Sequence, residues 1–179
     1  EIKIENPDAD GEGEIWVKGD IVMMGYYKKP EATEKVLKDG WFNTEDIGKI
    51  DGRFLSITGR KKNIIILDNG KNVYPEEIEV LISNLDYVEE CMVYGYARKE
   101  DDPLDLSIGA KIVYKTDVMK DNYNVSDLDA AENIVKLDIE KINEMMPSYK
   151  QINKLVVTDE PMVKTTTGKV KRFEEAKNL

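Results

Sequence analysis

The sequence contains no histidine and a single cysteine, and both shortages limit the chemistry that the chain can perform. Without histidine, Ser-His-Asp and Cys-His catalytic arrangements are excluded within this chain, and the commonest ligand for zinc or iron is missing. Cys91 cannot form a disulfide within the chain, which favours a reducing compartment, and we expect it in the core. Any catalysis must therefore depend on lysine, arginine and carboxylate side chains, and we predict no metal site.

Positive charge is also scarce, because 26 Lys and Arg residues stand against 36 Asp and Glu residues, giving a net charge of −10. Affinity for nucleic acid comes mainly from neutralising phosphates, so we expect no nucleic-acid partner. No apolar run has the length of a transmembrane helix, and the first residues lack the pattern of a signal peptide. We expect a cytoplasmic protein and leave peripheral membrane association open. Because the sequence starts without Met in an alternating "IKI" segment, we expect a piece of a longer protein.

Residues 1–60 have the pattern of a β-rich part. The segment "EIWVKG" alternates apolar and polar residues, and "DIGKIDGRFLSITG" predicts two strands joined by a turn at Asp51 and Gly52. Between them, "KPEATEKVLKDGW" predicts a short helix that begins at Pro30 and ends near Gly40.

Residues 61–179 mix strands and helices. "KNIIILDNGKNVYP" predicts two strands around a turn at Asp68–Gly70, followed by a helix from Pro75 with Ile78, Leu81, Ile82 and Leu85 on its apolar face. "ECMVYGY", "LSIGAKIVY" and "NKLVVTD" predict strands, and residues 129–146 predict a second helix that Pro147 stops. The sequence thus predicts an α+β protein, with a β-rich piece followed at "GRKKN" by a compact mixed-sheet domain.

The segment "KTTTGKVKR", residues 164–172, concentrates positive charge in an acidic chain. Its Gly168-Lys169 pair invites comparison with a phosphate-binding P-loop, which also needs an earlier glycine and a Ser or Thr after the lysine. Neither Lys164 nor Met162 supplies that glycine, and Val170 follows the lysine. A P-loop is therefore not predicted, and from this segment alone a solvated basic tail stays open.

Three separated segments, in order, resemble the adenylate-forming superfamily of acyl-CoA synthetases, luciferases and peptide-synthetase adenylation domains. The resemblance of "GWFNTEDIGKID" implies that Asp46 binds the ribose hydroxyls of ATP or AMP. That of "GRKKNIIILDNGKNVYPEEIE" implies that Arg60 also reaches the ribose, that Lys62 is the hinge pivot and that Gly70 lies beside the pantetheine tunnel. That of "KTTTGKVKR" implies that Lys169 is the catalytic lysine, which reaches the reacting carboxylate and the α-phosphate.

Each of these residues also has a simpler interpretation. Asp46 suits a surface turn, Arg60 and Lys62 suit a charged linker, and Gly70 suits a turn that needs positive φ. The ribose role is chemically suitable for Asp46, because a carboxylate can accept two hydrogen bonds from a vicinal diol.

The segments "GYYKKPEAT" and "MPSYKQI" carry the resemblance further, to bacterial long-chain fatty-acid CoA ligases. It implies an AMP-forming acid-thiol ligase that uses fatty acid, ATP and CoA, with Mg²⁺ held mainly by a large N-terminal AMP-binding domain. Residues 1–60 would be the tail of that domain and 61–179 the mobile C-terminal lid, and we expect the chain to be inactive without its missing N-terminal partner. An adenylation domain that passes the acyl group to a carrier protein, or a noncatalytic lid or interaction module, stays an alternative.

The sequence departs from the family pattern in two places. The family usually has glycine before the ribose-binding aspartate, whereas here Glu45 puts a second carboxylate beside Asp46. The catalytic loop usually begins with proline five residues before its glycine, whereas here that residue is Val163, with Pro161 two residues earlier. We expect a locally shifted start of the loop and a retained function.

Overall fold

The computed structural model describes residues 1–99, 101–177 and 179, which form two compact units, Glu1–Ile64 and Ile65–Leu179. The boundary predicted from the sequence lay between Arg60 and Lys61, a few residues before the end of the first unit. Both strands and helices are abundant, so the predicted α+β class is confirmed.

The first unit is an antiparallel sheet with one short helix. Its elements are β1 (Ile2–Glu5), β2 (Gly13–Val17), α1 (Pro30–Val36), β3 (Leu37–Lys38), β4 (Trp41–Asp51) and β5 (Phe54–Arg60). The sheet runs in the order β1-β2-β4-β3, and β5 pairs with the second half of β4. The predicted hairpin at Asp51 and Gly52 is confirmed as the β4–β5 connection, with a φ of 57° at Gly52. The predicted helix begins at Pro30 but ends at Val36, because the chain then enters β3.

The second unit combines a mixed three-stranded sheet, a short ribbon and four helices among the described residues. Its elements are β6 (Ile65–Ile66), β7 (Asn72–Val73), α2 (Pro75–Ser83), β8 (Val88–Lys99), β9 (Asp102–Tyr114), α3 (Thr116–Tyr123), α4 (Leu128–Glu144), β10 (Ile152–Thr158) and α5 (Arg172–Ala176). The sheet runs in the order β10-β9-β8, with β8 antiparallel and β10 parallel to β9, while β6 and β7 form the ribbon.

Two apolar clusters form the core of the second unit. The larger one joins the apolar stripes of α2 and α4 to alternate residues of β9, among them Ile108, Ala110 and Ile112. The smaller one contains Met92, Tyr94, Val113 and Met162, all buried. Because Met162 belongs to the C-terminal segment, its burial fixes the chain just before the lysine-rich loop. None of the helices in the described part of the chain is long and apolar enough to span a membrane.

The helix predictions for this unit need three corrections. The sequence analysis predicted two helices and missed α3 and α5, which are short and have one buried residue each, Met119 and Glu175. The helix predicted over 129–146 spans Leu128–Glu144, and Asp127 caps it by accepting a hydrogen bond from the Ala130 amide at 2.9 Å. Leu85 was assigned to the α2 face but lies beyond the helix, which ends at Ser83.

Candidate functional site

A bulge in β4 sets the direction of Asp46. The register against β2 shifts between Ile47 and Asn43, and within this interval Glu45 has a φ of 61°. The Glu45 amide donates to Asn43 Oδ1 at 2.8 Å, and the Asp46 amide donates to Thr44 Oγ1 at 3.1 Å. Such local side-chain bonds replace the ladder bonds that a bulge interrupts.

The neighbouring strand holds this bulge in place. Asn43 is a buried polar residue whose Nδ2 donates to Glu14 Oε2 at 2.6 Å. Thr44 Oγ1 donates to the Ile15 carbonyl at 3.0 Å. Because both side chains that shape the bulge are bonded to β2, the turn before Asp46 is formed by the protein itself and needs no ligand.

The cations of the "GRKK" segment are not a free linker. Three consecutive cations each pair with a carboxylate of the first unit: Arg60 Nε with Asp46 Oδ1 at 3.0 Å, Lys61 Nζ with Glu14 Oε1 at 2.5 Å and Lys62 Nζ with Glu45 Oε2 at 2.7 Å. Burial alone would raise the pKa of the Glu14 carboxyl, but hydrogen bonds from Lys61 and Asn43 outweigh it, so that this pKa is lowered. The structure therefore brings Asp46 and Arg60 together and fixes the 3₁₀ turn Lys61–Asn63, called the junction turn below.

Gly70 lies in an exposed turn between β6 and β7. The Gly70 amide donates to the Leu67 carbonyl at 2.9 Å, and the Leu67 amide donates to the Lys71 carbonyl at 3.0 Å. This pattern is a type I turn closed by a glycine in the left-handed region, and the φ of Gly70 is 76°. A Cβ on Gly70 would meet no atom within 4 Å. The prediction of a turn residue with positive φ is confirmed, and the backbone at Gly70 is open to approach.

Lys169 lies on a hairpin, Lys164–Val170, that uses the same turn geometry. The Thr165 amide donates to the Lys169 carbonyl at 2.8 Å, and the Gly168 amide donates to the Thr165 carbonyl at 2.9 Å. The φ of Gly168 is 79°, and Lys164 and Val170 form a β-bridge at the base. This Lys169 hairpin is followed directly by α5, which begins at Arg172.

Ion pairs anchor the chain on both sides of the Lys169 hairpin. They join Lys164 to Glu90, Arg172 Nη2 to Glu79 Oε2 at 2.5 Å, and Glu175 Oε2 to Lys111 Nζ at 2.7 Å. Lys171 pairs with Glu174 at 3.1 Å. Among residues 1–99, 101–177 and 179, Lys169 is thus the one cation of "KTTTGKVKR" without an ion pair, and it is exposed. The segment is held against the second unit, unlike a solvated tail, and it presents one unpaired ammonium.

Val163, at the position where the family pattern has proline, uses a group that proline lacks. Its amide donates to Glu175 Oε1 at 2.6 Å, and its carbonyl accepts from the Lys171 amide at 2.8 Å. Hydrogen bonds from Lys111 and from the Val163 amide lower the pKa of the Glu175 carboxyl. The start of the loop is therefore fixed by Glu175, and the predicted shift of this start stays a prediction.

Several of these supporting residues were absent from the sequence analysis. Asn43 had a detectable signal, because Asn followed by Thr-Glu is typical of a side-chain-to-backbone turn. Glu175 had none, since its partner Lys111 is 64 residues away. Of the predicted site residues, Asp46, Arg60 and Lys62 lie in the first unit, and Gly70 and Lys169 lie in the second. The described residues contain no group of three acidic, cysteine or histidine side chains that could hold a metal ion.

Comparison with known proteins shows which family the sequence resembles. The sequence model of the AMP-binding enzyme C-terminal domain matches residues 62–178. A long-chain-fatty-acid–CoA ligase of Haemophilus influenzae is 50% identical over 97 residues, covering 52% of this chain and 17% of that protein. Long-chain-fatty-acid–CoA ligase 5 of Mus musculus is 35% identical over 186 residues, covering 94% of this chain and 27% of that protein. The chain spans less than a third of the length of these curated relatives.

One solved structure has a similar fold over nearly the whole of this chain. The o-succinylbenzoate CoA synthetase of Bacillus subtilis, in complex with its acyl-adenylate intermediate, superposes with a TM-score of 0.76 at 28% sequence identity. The match covers 98% of this chain and 33% of that chain. The likeness therefore extends over residues of both units.

Proposed function

Because this chain belongs to the family of AMP-binding enzyme C-terminal domains, we propose that it acts as the C-terminal part of an AMP-forming long-chain fatty-acid CoA ligase. The proposed reaction has two steps. The carboxylate of a fatty acid attacks the α-phosphate of ATP and releases pyrophosphate, and the CoA thiol then displaces AMP from the acyl carbon. The choice of fatty acid and CoA rests on the relatives, which are named for that activity.

The unpaired ammonium of Lys169 is the observation that supports this function best. In the first step, negative charge gathers between the attacking carboxylate and the α-phosphate, and a positioned cation there lowers the barrier. The other cations of the segment are ion-paired, so their charge is already partly compensated. Lys169 is exposed on a hairpin that is anchored on both sides, and it is therefore suited to reach a substrate held elsewhere.

The remaining predicted residues are assigned to binding. Asp46 and Arg60 are proposed to contact the ribose, and the open backbone at Gly70 is proposed to line the path of the pantetheine arm. The ATP phosphates, the acyl chain and Mg²⁺ are assigned to residues outside this chain, as the resemblance to the adenylate-forming enzymes implies. The roles proposed for the residues of this chain do not involve Mg²⁺.

The proposal is tested by comparing this chain with the full-length ligase that it implies. The full-length protein should release pyrophosphate when given ATP and a long-chain fatty acid, and should form a thioester when CoA is added. The 179-residue chain alone should do neither. Pyrophosphate release by the chain alone would contradict the proposal that residues outside this chain hold the ATP phosphates and the acyl chain. Adenylate formation with transfer only to a carrier protein would favour the carrier-dependent alternative, and inactivity of the full-length protein would favour a noncatalytic module.

A further inference from the structure

Glu45 keeps an unusual backbone conformation for a glutamate. Its φ of 61° lies in the left-handed region, where a side chain crowds the backbone and glycine is the ordinary choice. The bulge imposes this conformation, because the Glu45 amide is bonded to Asn43 Oδ1 at 2.8 Å. A glycine would satisfy the same bulge without strain. The glutamate side chain must therefore contribute something that the fold of β4 does not need.

The contact that Glu45 makes is with the junction turn. Its Oε2 lies 2.7 Å from Lys62 Nζ, in the middle of Lys61–Asn63. The first unit ends at Ile64, directly after this turn. The strained φ aims the carboxylate of Glu45 at Lys62, while the next residue, Asp46, is paired with Arg60.

We propose that Glu45 is a positioning residue that restrains rotation of the chain at Lys62. The inference rests on the proposed function, in which the junction turn lets one domain present two faces in succession. With the first unit held fixed, a change in φ of Lys62 moves its side chain relative to β4, so the pair stretches or breaks, or the Lys62 side chain changes its rotamer to keep it. Glu45 therefore sets how easily the junction turns, and through it the balance between the adenylation and thioester steps.

The exposure of the Glu45–Lys62 pair limits the strength of the restraint. The Lys62 side chain is 74% exposed and that of Glu45 is 39% exposed, so water and salt screen their attraction. Exposed pairs of this kind change an equilibrium by about two- to fivefold. The restraint is weak enough to be broken in every turnover, and it should fade as the ionic strength rises.

Amide hydrogen exchange at Asn63, Ile64 and Ile65 tests the restraint without any assay of catalysis. In Glu45→Gln, these amides should exchange about two- to fivefold faster at low salt, and the difference should vanish at 1 M salt, where the Debye length is about 3 Å. The matched control is Glu5→Gln, which removes an ion pair of the same unit, with Lys3, that includes no residue of the junction turn. Unchanged exchange in Glu45→Gln at low salt would overturn the proposal.

Glu45→Gly separates the restraint from a merely structural role. It removes the strained φ as well as the carboxylate, so the melting temperature should stay the same or rise while exchange at the junction still accelerates. A glutamate that only stabilised β4 would make the two quantities change together. Slower exchange in Glu45→Gly, or a fall in melting temperature with unchanged exchange, would contradict the proposal.

In the full-length ligase, Glu45→Gln should change the ratio of the thioester rate to the adenylation rate by about two- to fivefold. The KM for ATP should stay unchanged, which excludes an indirect effect through Asp46. Glu45→Gln and Lys62→Gln combined should change the ratio no more than the larger single change, because both remove one interaction. If the two substitutions change this ratio additively, Glu45 and Lys62 do not act through one interaction and the proposal is wrong. If the full-length protein lacks ligase activity, the proposed function fails, while the exchange measurements still decide on the restraint.

Discussion

Asp46 Oδ1 lies 3.0 Å from Arg60 Nε, and the two residues are direct partners across the β4–β5 ladder. The residues assigned to the ribose are thus already paired with each other. One carboxylate oxygen of Asp46 is engaged by the guanidinium of Arg60. A ribose diol that binds at Asp46 must share the carboxylate with Arg60 or displace it, so the arginine orients the group on which nucleotide binding is proposed to depend.

Asp46→Ala in the full-length ligase should weaken ATP binding in the adenylation step by about 1.5–3 kcal/mol, the cost of losing a hydrogen bond to a charged group. The measurement is the ATP dependence of pyrophosphate release. Asp51→Ala, at the exposed end of the same strand, serves as the control and should leave that dependence unchanged. An unchanged ATP dependence in Asp46→Ala would assign Asp46 to structure and make Glu45 the candidate.

Lys169→Ala should slow acyl-adenylate formation by at least about a hundredfold, the scale for losing one preorganised electrostatic contact. Thioester formation from supplied acyl-adenylate should survive, because the ammonium is proposed to act only in the first step. Lys171→Ala is the matched control, since Lys171 belongs to the same segment but is paired with Glu174. Equal damage to both half-reactions would contradict the assignment of Lys169 to adenylation.

Gly70→Leu should impair the thioester step and leave adenylation largely intact, because the side chain would obstruct the proposed pantetheine path. Rates of the two half-reactions, measured separately, give the comparison. Leucine at positive φ also strains the turn, and Gly52→Leu controls for this, since Gly52 has a φ of 57° and equally open surroundings. If Gly52→Leu has the same effect, or if Gly70→Leu slows only adenylation, the proposed role of Gly70 is wrong.

The contribution of Glu175 to the stability of the fold should be lost in acid. Its pKa is lowered in the folded state, so its stabilising contribution is complete above the ordinary glutamate pKa of about 4.3 and disappears as the pH falls through the lower folded value. The difference in unfolding free energy between the wild type and Glu175→Gln should therefore be constant near neutral pH and shrink below about pH 4. Urea unfolding over this range measures it. Glu174→Gln is the control, because Glu174 is half-exposed and its replacement should change the free energy of unfolding little.

Val163→Pro should destabilise the chain by about 1.5–3 kcal/mol, because it removes the amide that donates to the Glu175 carboxylate. Val163→Ala keeps that amide and is the proper reference. Chemical unfolding of both variants measures the difference. If the proline variant is as stable as the alanine variant, the hydrogen bond contributes nothing and the family's proline would be compatible with this loop.

Local signals predicted much of the fold. The Asp51-Gly52 hairpin and the helix start at Pro75 depend on backbone preferences that a few residues determine. Local signals could not predict the pairing of β10. This strand pairs in parallel with β9, and the helices α3 and α4 lie between the two strands in the sequence. Helix α3 was missed since only Met119 of its residues is buried, which leaves no apolar stripe to detect.

The site was predictable only through the resemblance, and of its geometry the sequence predicted only the turn at Gly70. Nothing in the spacing of Asp46 and Arg60 indicates that they lie opposite each other, because the register depends on a bulge after Ile47. The left-handed conformation of Glu45 depends on a local hydrogen bond from its amide to Asn43 Oδ1 and on the bonds of Asn43 and Thr44 to the neighbouring strand, and only the latter are tertiary features. Composition did restrict any catalysis to lysine, arginine and carboxylate side chains, since the chain lacks histidine.

The ion pairs beside the Lys169 hairpin connect positions that are far apart in the chain: 93 residues separate Glu79 from Arg172, and 64 separate Lys111 from Glu175. Contacts of such separation require the closure of long loops, whose entropy delays them during folding. The final position of the hairpin therefore depends on α2, β8 and β9, which carry the partner residues. A partly folded or truncated chain lacks these distant partners and cannot hold Lys169 in this position, so the fold of the second unit and the proposed role of Lys169 depend on the same contacts.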